Sequence, residues 1–290
     1  MTKLLFTLIF RSLSLLPLRV LHRLGAVLGR VTYALSKQYA TRMRENLQQE
    51  GFSLDDPQGR ELLSAVIDEA GKSIVELPWI WGRSYREVLD SVVECKGREY
   101  FEAAEASGKS IIYLTPHLGC FELAGLYCAQ YKPITILYRQ PKLAWLEEVM
   151  CLGRGRGQAK LAKADLSGVR LMFKALKRGE AIGLLPDQVP GGGEGVWADF
   201  FGRPAYTMTL VGRLAQANDA TLLLVSAERQ AAGYAIRFEP LLLDYTQPVP
   251  RQINAALEKM IMKCPSQYLW SYNRYKVSRG VPPPDQEGAL

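Results

Sequence analysis

A length of 290 residues, 48% of them hydrophobic and 22% charged, describes a globular chain with material for one large or two smaller cores, not a fibrous or unfolded polymer. The five cysteines (Cys95, Cys120, Cys128, Cys151, Cys264) form no CxxC pair and have no histidine at ligand spacing, which sets aside a disulfide frame and a zinc site and points to reduced thiols facing the cytoplasm. A formal charge of +7 calls for an anionic partner: nucleic acid, anionic lipid, a phosphorylated substrate or an acidic protein, with nothing in the charge to choose among them.

Residues 1–38 are apolar but interrupted by Arg11, Arg19, Arg23, Arg30 and Lys37, so no uncharged run reaches the roughly 18–20 residues of a transmembrane helix. No signal-peptide cleavage site follows. In helical register Arg19, Arg23, Arg30 and Lys37 fall within about 40° of one another, opposite Leu and Val. This is the pattern of a helix lying in the headgroup layer of an anionic leaflet. A helix packed on its own domain shares it, but the apolar leader Leu4–Phe10 favours the membrane. Pro17 bends or splits the segment. Residues 41–50 read as a solvated helix end, 53–57 as a turn, and 58–77 as a helix with Leu62, Val66, Ile67, Ala70 and Ile74 on one face. Pro78–Trp81 forms an aromatic patch suited to core or to a lipid's acyl region, and 97–107 is another helix.

Short apolar strands and amphipathic helices then alternate: strand 110–115, helix 120–130, strand 134–138, helices 142–152 and 167–178, strand 181–185, helix 207–218, strands 221–227 and 234–239, helix 250–262. The pattern argues for an α/β fold, a layered and mostly parallel sheet flanked by helices, preceded by the membrane-associated N-terminal helix. Ligands on such sheets bind at the carboxyl ends of strands. The organisation expected is a segment 1–38, a domain 39–280 and a loose tail 281–290.

His117 and Asp187 each directly follow a strand end and belong on that rim. The chain has two histidines, and His22 lies in the N-terminal segment, so any imidazole base in the main domain is His117. Pro116 ends the preceding strand, and Glu122 follows five residues later on the first turns of a helix. Were both helical, a spacing of five would separate them by about 140°. With His117 outside the helix, its ring can fold back so that Glu122 holds one nitrogen while the other faces substrate, the arrangement of a base with its orienting acid. A histidine that caps a helix or satisfies a buried carbonyl fits the same residues. Cys120 inside this stretch reads as a small buried residue before it reads as a nucleophile.

Gly108-Lys109-Ser110 imitates the end of a P-loop, but Ala103 stands where the first glycine belongs and a strand follows. Gly153-Arg154-Gly155-Arg156-Gly157 imitates a dinucleotide fingerprint, but Gln158 replaces the third glycine. That stretch can instead bring guanidinium groups to phosphate or carboxylate oxygens. Leu184–Gln188, followed by the flexible 191–195 loop and 199–204, delivers a carboxylate beside a glycine-rich loop that can act as a flap. No GxSxG elbow or HExxH helix is present, against serine and zinc hydrolases.

His117-x4-Glu122, the run Leu137–Lys142, Arg154-Gly155-Arg156, Leu184–Gln188, Phe200–Pro204, Thr207–Thr209, Tyr268–Trp270 and Asn273–Lys276 occur in the order found in the bacterial late lipid A biosynthesis acyltransferases of the lysophospholipid acyltransferase superfamily, which the chain resembles over nearly its whole length. The resemblance implies an acyl thioester donor on acyl carrier protein and a hydroxyl acceptor on an acylated glucosamine disaccharide phosphate. It implies His117 and Glu122 as the catalytic pair, with Arg154 and Asp187 shaping the site and Arg139 and Gln188 among the substrate contacts. It implies no metal or organic cofactor, an anionic inner membrane as a partner with the site on its cytoplasmic side, and no nucleic acid. Transfer to another lysophospholipid or glycolipid, thioester hydrolysis, and a non-catalytic lipid-binding protein are the competing readings.

Overall fold

Two short apolar runs, Ile111–Leu114 (β2) and Ala181–Leu184 (β5), are buried at every residue and pair in parallel at the centre of a seven-stranded sheet. A computed structural model describes residues 2–284. Strands with no solvent face need no polar alternation, which is why both are continuous apolar stretches. Around them lie Val92–Lys96 (β1), Ile134–Tyr138 (β3), Ala159–Lys163 (β4), Thr221–Gln230 (β8) and Gly233–Leu241 (β9), in the order β1-β9-β8-β2-β5-β3-β4. Five strands are mutually parallel; β9 returns antiparallel to β8, and β1 runs parallel to β9. Among the described residues this is the expected mostly parallel α/β sheet.

Helices cover both faces. Arg98–Ala106 (α7) and Phe121–Cys128 (α8) pack on one, against Ile111, Tyr113, Ile134 and Phe238, and the short Tyr85–Asp90 (α6) is tied to α8 by the Tyr85 hydroxyl, which donates to the Leu126 carbonyl. Leu166–Lys177 (α10), Leu210–Asn218 (α11) and Val249–Ile261 (α12) pack on the other, against Ile112, Leu114, Ile182 and Leu184. Between β3 and β4 runs Ala144–Arg154 (α9).

Four strands lie outside the sequence expectation. β1 and β4 are the two edges of the sheet, and exposed Lys160 and Lys163 give β4 the charged edge that discourages further pairing. The same charges erase its apolar signal. The other two form a hairpin, Gly195–Phe200 (β6) and Arg203–Met208 (β7), where a flap and the start of a helix were expected. Thr207 stays in the strand because its buried hydroxyl bonds Asn254 and Arg274, and α11 begins at Leu210. The 191–195 loop is also held, since Gly193 and Gly195 donate their N–H groups to the Tyr206 hydroxyl.

The N-terminal segment folds as Thr2–Leu15 (α1) and Leu18–Leu35 (α2), divided at Pro17. Lys37–Gln49 (α3) is not the solvated end expected at 41–50: Met43, Asn46 and Leu47 are buried, and the Asn46 amide donates to the Trp270 carbonyl at 2.5 Å. α2 lies against Pro57–Val75 (α4), with Gly25 and Gly29 facing Gly71. A Cβ on Gly71 would fall 1.9 Å from the Gly25 carbonyl, so the two backbones touch only because these side chains are missing. Among the described residues no helix is long and apolar enough to cross a membrane. Of the tail expected to be loose, residues 285–290 lie outside the described residues, while the Pro282 carbonyl accepts the Trp197 indole N–H.

Candidate active site

β2 delivers Thr115, Pro116 and His117 to the rim, and its neighbour β5 delivers Pro186, Asp187 and Gln188 to the same rim. His117 is therefore met by residues seventy positions away in the chain. Asp187 holds it twice: Oδ2 accepts the His117 backbone N–H at 2.8 Å, and Oδ1 lies 2.8 Å from Nδ1. The carboxylate is almost wholly buried and the imidazole slightly exposed. Burial pushes the Asp187 carboxyl up, but the His117 ring and backbone, with Arg274 nearby, bring it below the ordinary carboxylate range. An ionised acceptor on Nδ1 fixes the tautomer with its proton on Nδ1 and its lone pair on Nε2. The Gln188 amide nitrogen sits 3.1 Å from Nε2 and donates to it.

The expected bond from Glu122 to His117 is not made. Glu122 is buried on the first turn of α8 and faces Arg154 at the end of α9, which grips it with Nε to Oε2 at 2.7 Å and Nη2 to Oε1. Trp81, in the short helix Leu77–Gly82 (α5), donates its indole N–H to Oε2 at 3.2 Å. The physical reason for the correction is electrostatic. A buried carboxylate is stabilised far more by a bidentate, permanently charged guanidinium than by a neutral ring. Gly153 makes room for this cluster, because a Cβ there would fall 2.4 Å from the Trp81 ring. Only one of the two arginines in the glycine-arginine stretch reaches a carboxylate. Arg156 donates instead to the backbone carbonyls of Ile80, Arg83 and Gly153, tying α5 to α9.

The histidine loop is anchored by residues far away in the chain. Gly119 turns with φ +59°, and a Cβ there would strike the Ala227 carbonyl at 2.1 Å. Its own carbonyl accepts from Arg229 Nη2 at 2.9 Å; that guanidinium is buried and paired with Glu76 and Glu69. Burial would raise Glu76, but Arg229 and His22 of α2 bring it down to about 2. The available signal was the charged pair Glu228-Arg229 inside an otherwise apolar strand. Cys120 is buried, and burial raises its thiol well above the ordinary range, which suits a packing role and not a nucleophile.

His117, Glu122, Arg154, Gln188 and Arg139 all border one cavity of about 910 Å3 at the carboxyl ends of the strands; Asp187 lies behind His117, and Arg139 stands on the exposed rim. A positioned imidazole beside an apolar cavity, with fixed guanidinium charge nearby, can deprotonate an alcohol and accept an oily substrate.

The model of the bacterial lipid A biosynthesis acyltransferase family matches residues 1–277. The chain belongs to this family. Membership makes it an O-acyltransferase of lipid A biosynthesis. It is similar to the lipid A biosynthesis lauroyltransferase of Escherichia coli K12 (28% identical over 279 residues, 92% of this chain and 89% of that one). It is also similar to the palmitoleoyltransferase of the same strain (28% over 272 residues, 90% and 86%) and to a lipid A biosynthesis acyltransferase of Haemophilus influenzae (26% over 266 residues, 89% and 82%). Against the solved 1-acyl-sn-glycerophosphate acyltransferase of Thermotoga maritima the TM-score is 0.37 at 12% identity, covering 78% of this chain and 99% of that one, too slight to add to the fold described above.

Proposed function

We propose that this acyltransferase moves a fatty acyl chain from the thioester of acyl carrier protein to a hydroxyl of a lipid A precursor, with His117 as general base. The observation that carries the reading is the His117 ring held through Nδ1 by ionised Asp187, with Nε2 turned to the cavity. The acceptor hydroxyl takes the position from which the Gln188 amide now donates. Nε2 removes its proton, the oxygen attacks the thioester carbonyl carbon, and the tetrahedral oxyanion collapses with loss of the carbon–sulfur bond. The imidazolium, stabilised by Asp187, returns the proton to the departing sulfur. Glu122 acts one step removed: it fixes the Arg154 guanidinium, whose charge serves the oxyanion or a substrate phosphate.

Placement at the cytoplasmic face of the inner membrane is part of the same reading. Val20, Leu24, Val27, Leu28, Val31 and Leu35 of α2 are all exposed and fall in a stripe about 100° wide, with Arg19 and Arg23 along its border. An apolar stripe edged with arginine suits the boundary between acyl chains and anionic headgroups. The +7 charge and rim Arg139 favour an acidic carrier and an anionic acceptor.

The deciding experiment combines acyl-carrier thioesters with purified lipid A precursor and follows acylated lipid and free thiol together. Wild type yields both in equal amounts, and His117→Ala yields neither while remaining folded and sedimenting with anionic vesicles. Thiol without acylated lipid identifies a thioesterase, carrier binding without either product identifies a binding protein, and wild-type rates from His117→Ala defeat the assignment of the base. Failure of the wild type to sediment with anionic vesicles defeats the membrane placement.

A further inference from the structure

The lining of the cavity sorts onto two faces of the sheet. Strand alternation turns Tyr113, Ile136 and Gly183 toward α8, and Leu137 and Leu184 toward α10 and α11, so the cavity has two arms that meet at the rim beside His117. In the α8-side arm, one row across the sheet reads Tyr113, Gly183, Ile136, with Gly183 directly paired to both neighbours. Above that row, from α8, comes Gly125. A Cβ on Gly125 would lie 3.0 Å from the Ile136 Cδ1 atom, and one on Gly183 would lie 3.4 Å from Ile136 Cγ1 and from Ile134 Cδ1. Two glycines thus press on one isoleucine from the helix and the sheet. Neither has a positive φ or touches another backbone, so no turn or close approach requires them. What their absent side chains provide is bore.

The arm runs alongside α8 from Phe121 to Cys128, eight residues whose ends lie roughly 10 Å apart at the rise of an α-helix. Tyr113 and Cys128, both buried, line its deep end, and the Tyr113 hydroxyl has no hydrogen-bond partner among the described residues.

Resting on the acyl-transfer reading above, we propose that the α8-side arm receives the donor's fatty acyl chain, and that Gly125, Gly183 and Ile136 set the longest chain the enzyme accepts. The test uses Gly125→Ala and Gly183→Ala, which narrow the arm by one methyl each, and Ile136→Ala, which widens it; alanine is also the better helix former at position 125. Each full-length variant is assayed with a homologous series of saturated acyl-carrier thioesters and purified lipid A precursor. The longest donor used by wild type loses about tenfold or more in kcat/KM in both glycine variants while the shortest stays within about twofold. Ile136→Ala extends the series to longer donors and restores the long donor in the Gly125→Ala background. A length profile that keeps its wild-type shape in all the variants, a uniform fall included, overturns the proposal. Wild type that moves no donor to the acceptor overturns the acyl-transfer reading itself, which is a separate failure.

Discussion

Asp187 and Glu122 are both buried carboxylates beside the same cavity, and they have opposite occupations. Asp187 turns both oxygens to His117, one to the ring and one to the backbone, whereas Glu122 turns both to Arg154 and one also to Trp81. The acid five residues from the histidine is therefore not its partner, and the acid seventy residues away is. The lesson concerns adjacency: in a parallel sheet the nearest neighbours of a strand end are the ends of the flanking strands, and β5 flanks β2.

This contrast is open to direct attack. The largest effect is expected from Asp187→Asn, which keeps the shape but loses the charge on Nδ1; kcat should fall by about 10^2–10^4-fold, with KM for the carrier thioester nearly unchanged. Activity within a few fold of wild type would return the orienting role to Glu122. The same variant carries a stability signature. Asp187 releases its proton more readily folded than unfolded, so its contribution is present at neutral pH and is lost as pH falls through its lowered folded value. An acid-unfolding series should show wild type and Asp187→Asn differing at pH 7 and converging as the pH drops below the ordinary carboxylate range.

Next in size is the coupling at Glu122. Removing one partner of a buried pair strands the other, so Glu122→Gln and Arg154→Gln should each destabilise by up to about 3 kcal/mol, and the double variant by much less than their sum. A denaturant-based double-mutant cycle measures this. Strong coupling of Glu122 to His117 and none to Arg154 would contradict the pairing described here.

The smallest effect sharpens the comparison with a third carboxylate. Glu50 is partly buried without a gripping guanidinium: burial is the largest influence, Glu258 adds to it, and the Tyr275 hydroxyl and Arg203 offset it only in part, so its carboxyl rises to about 8. A group that binds its proton more tightly when folded stabilises at low pH and loses that contribution as pH rises from the unfolded value to the folded one. Glu50→Gln should accordingly gain Tm relative to wild type between about pH 5 and pH 8, reaching a plateau above. A Tm difference constant across that range would show that Glu50 is ionised like a surface carboxylate.

Much of the architecture was readable from local pattern. The apolar runs at 111–114 and 181–184 have no solvent face to serve, so they read as central strands, and their ends placed His117 and Asp187 on one rim. Pro17 marked the break between α1 and α2. The edge strands β1 and β4 were illegible because charge on an edge protects it from further pairing and removes the apolar alternation by which a strand is recognised.

Residue type and spacing alone settled that the chain forms an α/β sheet, that His117 is the imidazole on its ligand-binding rim, and, through the ordered motifs, which family it joins. Those properties are periodic or covalent and travel with the chain. Which carboxylate holds the ring, which guanidinium holds Glu122, how Arg229 reaches the Gly119 carbonyl, and why Gly125 and Gly183 leave a channel between helix and sheet were decided only by the fold. Each depends on contacts between residues distant in sequence, and strand order, not chain distance, determines which of them meet.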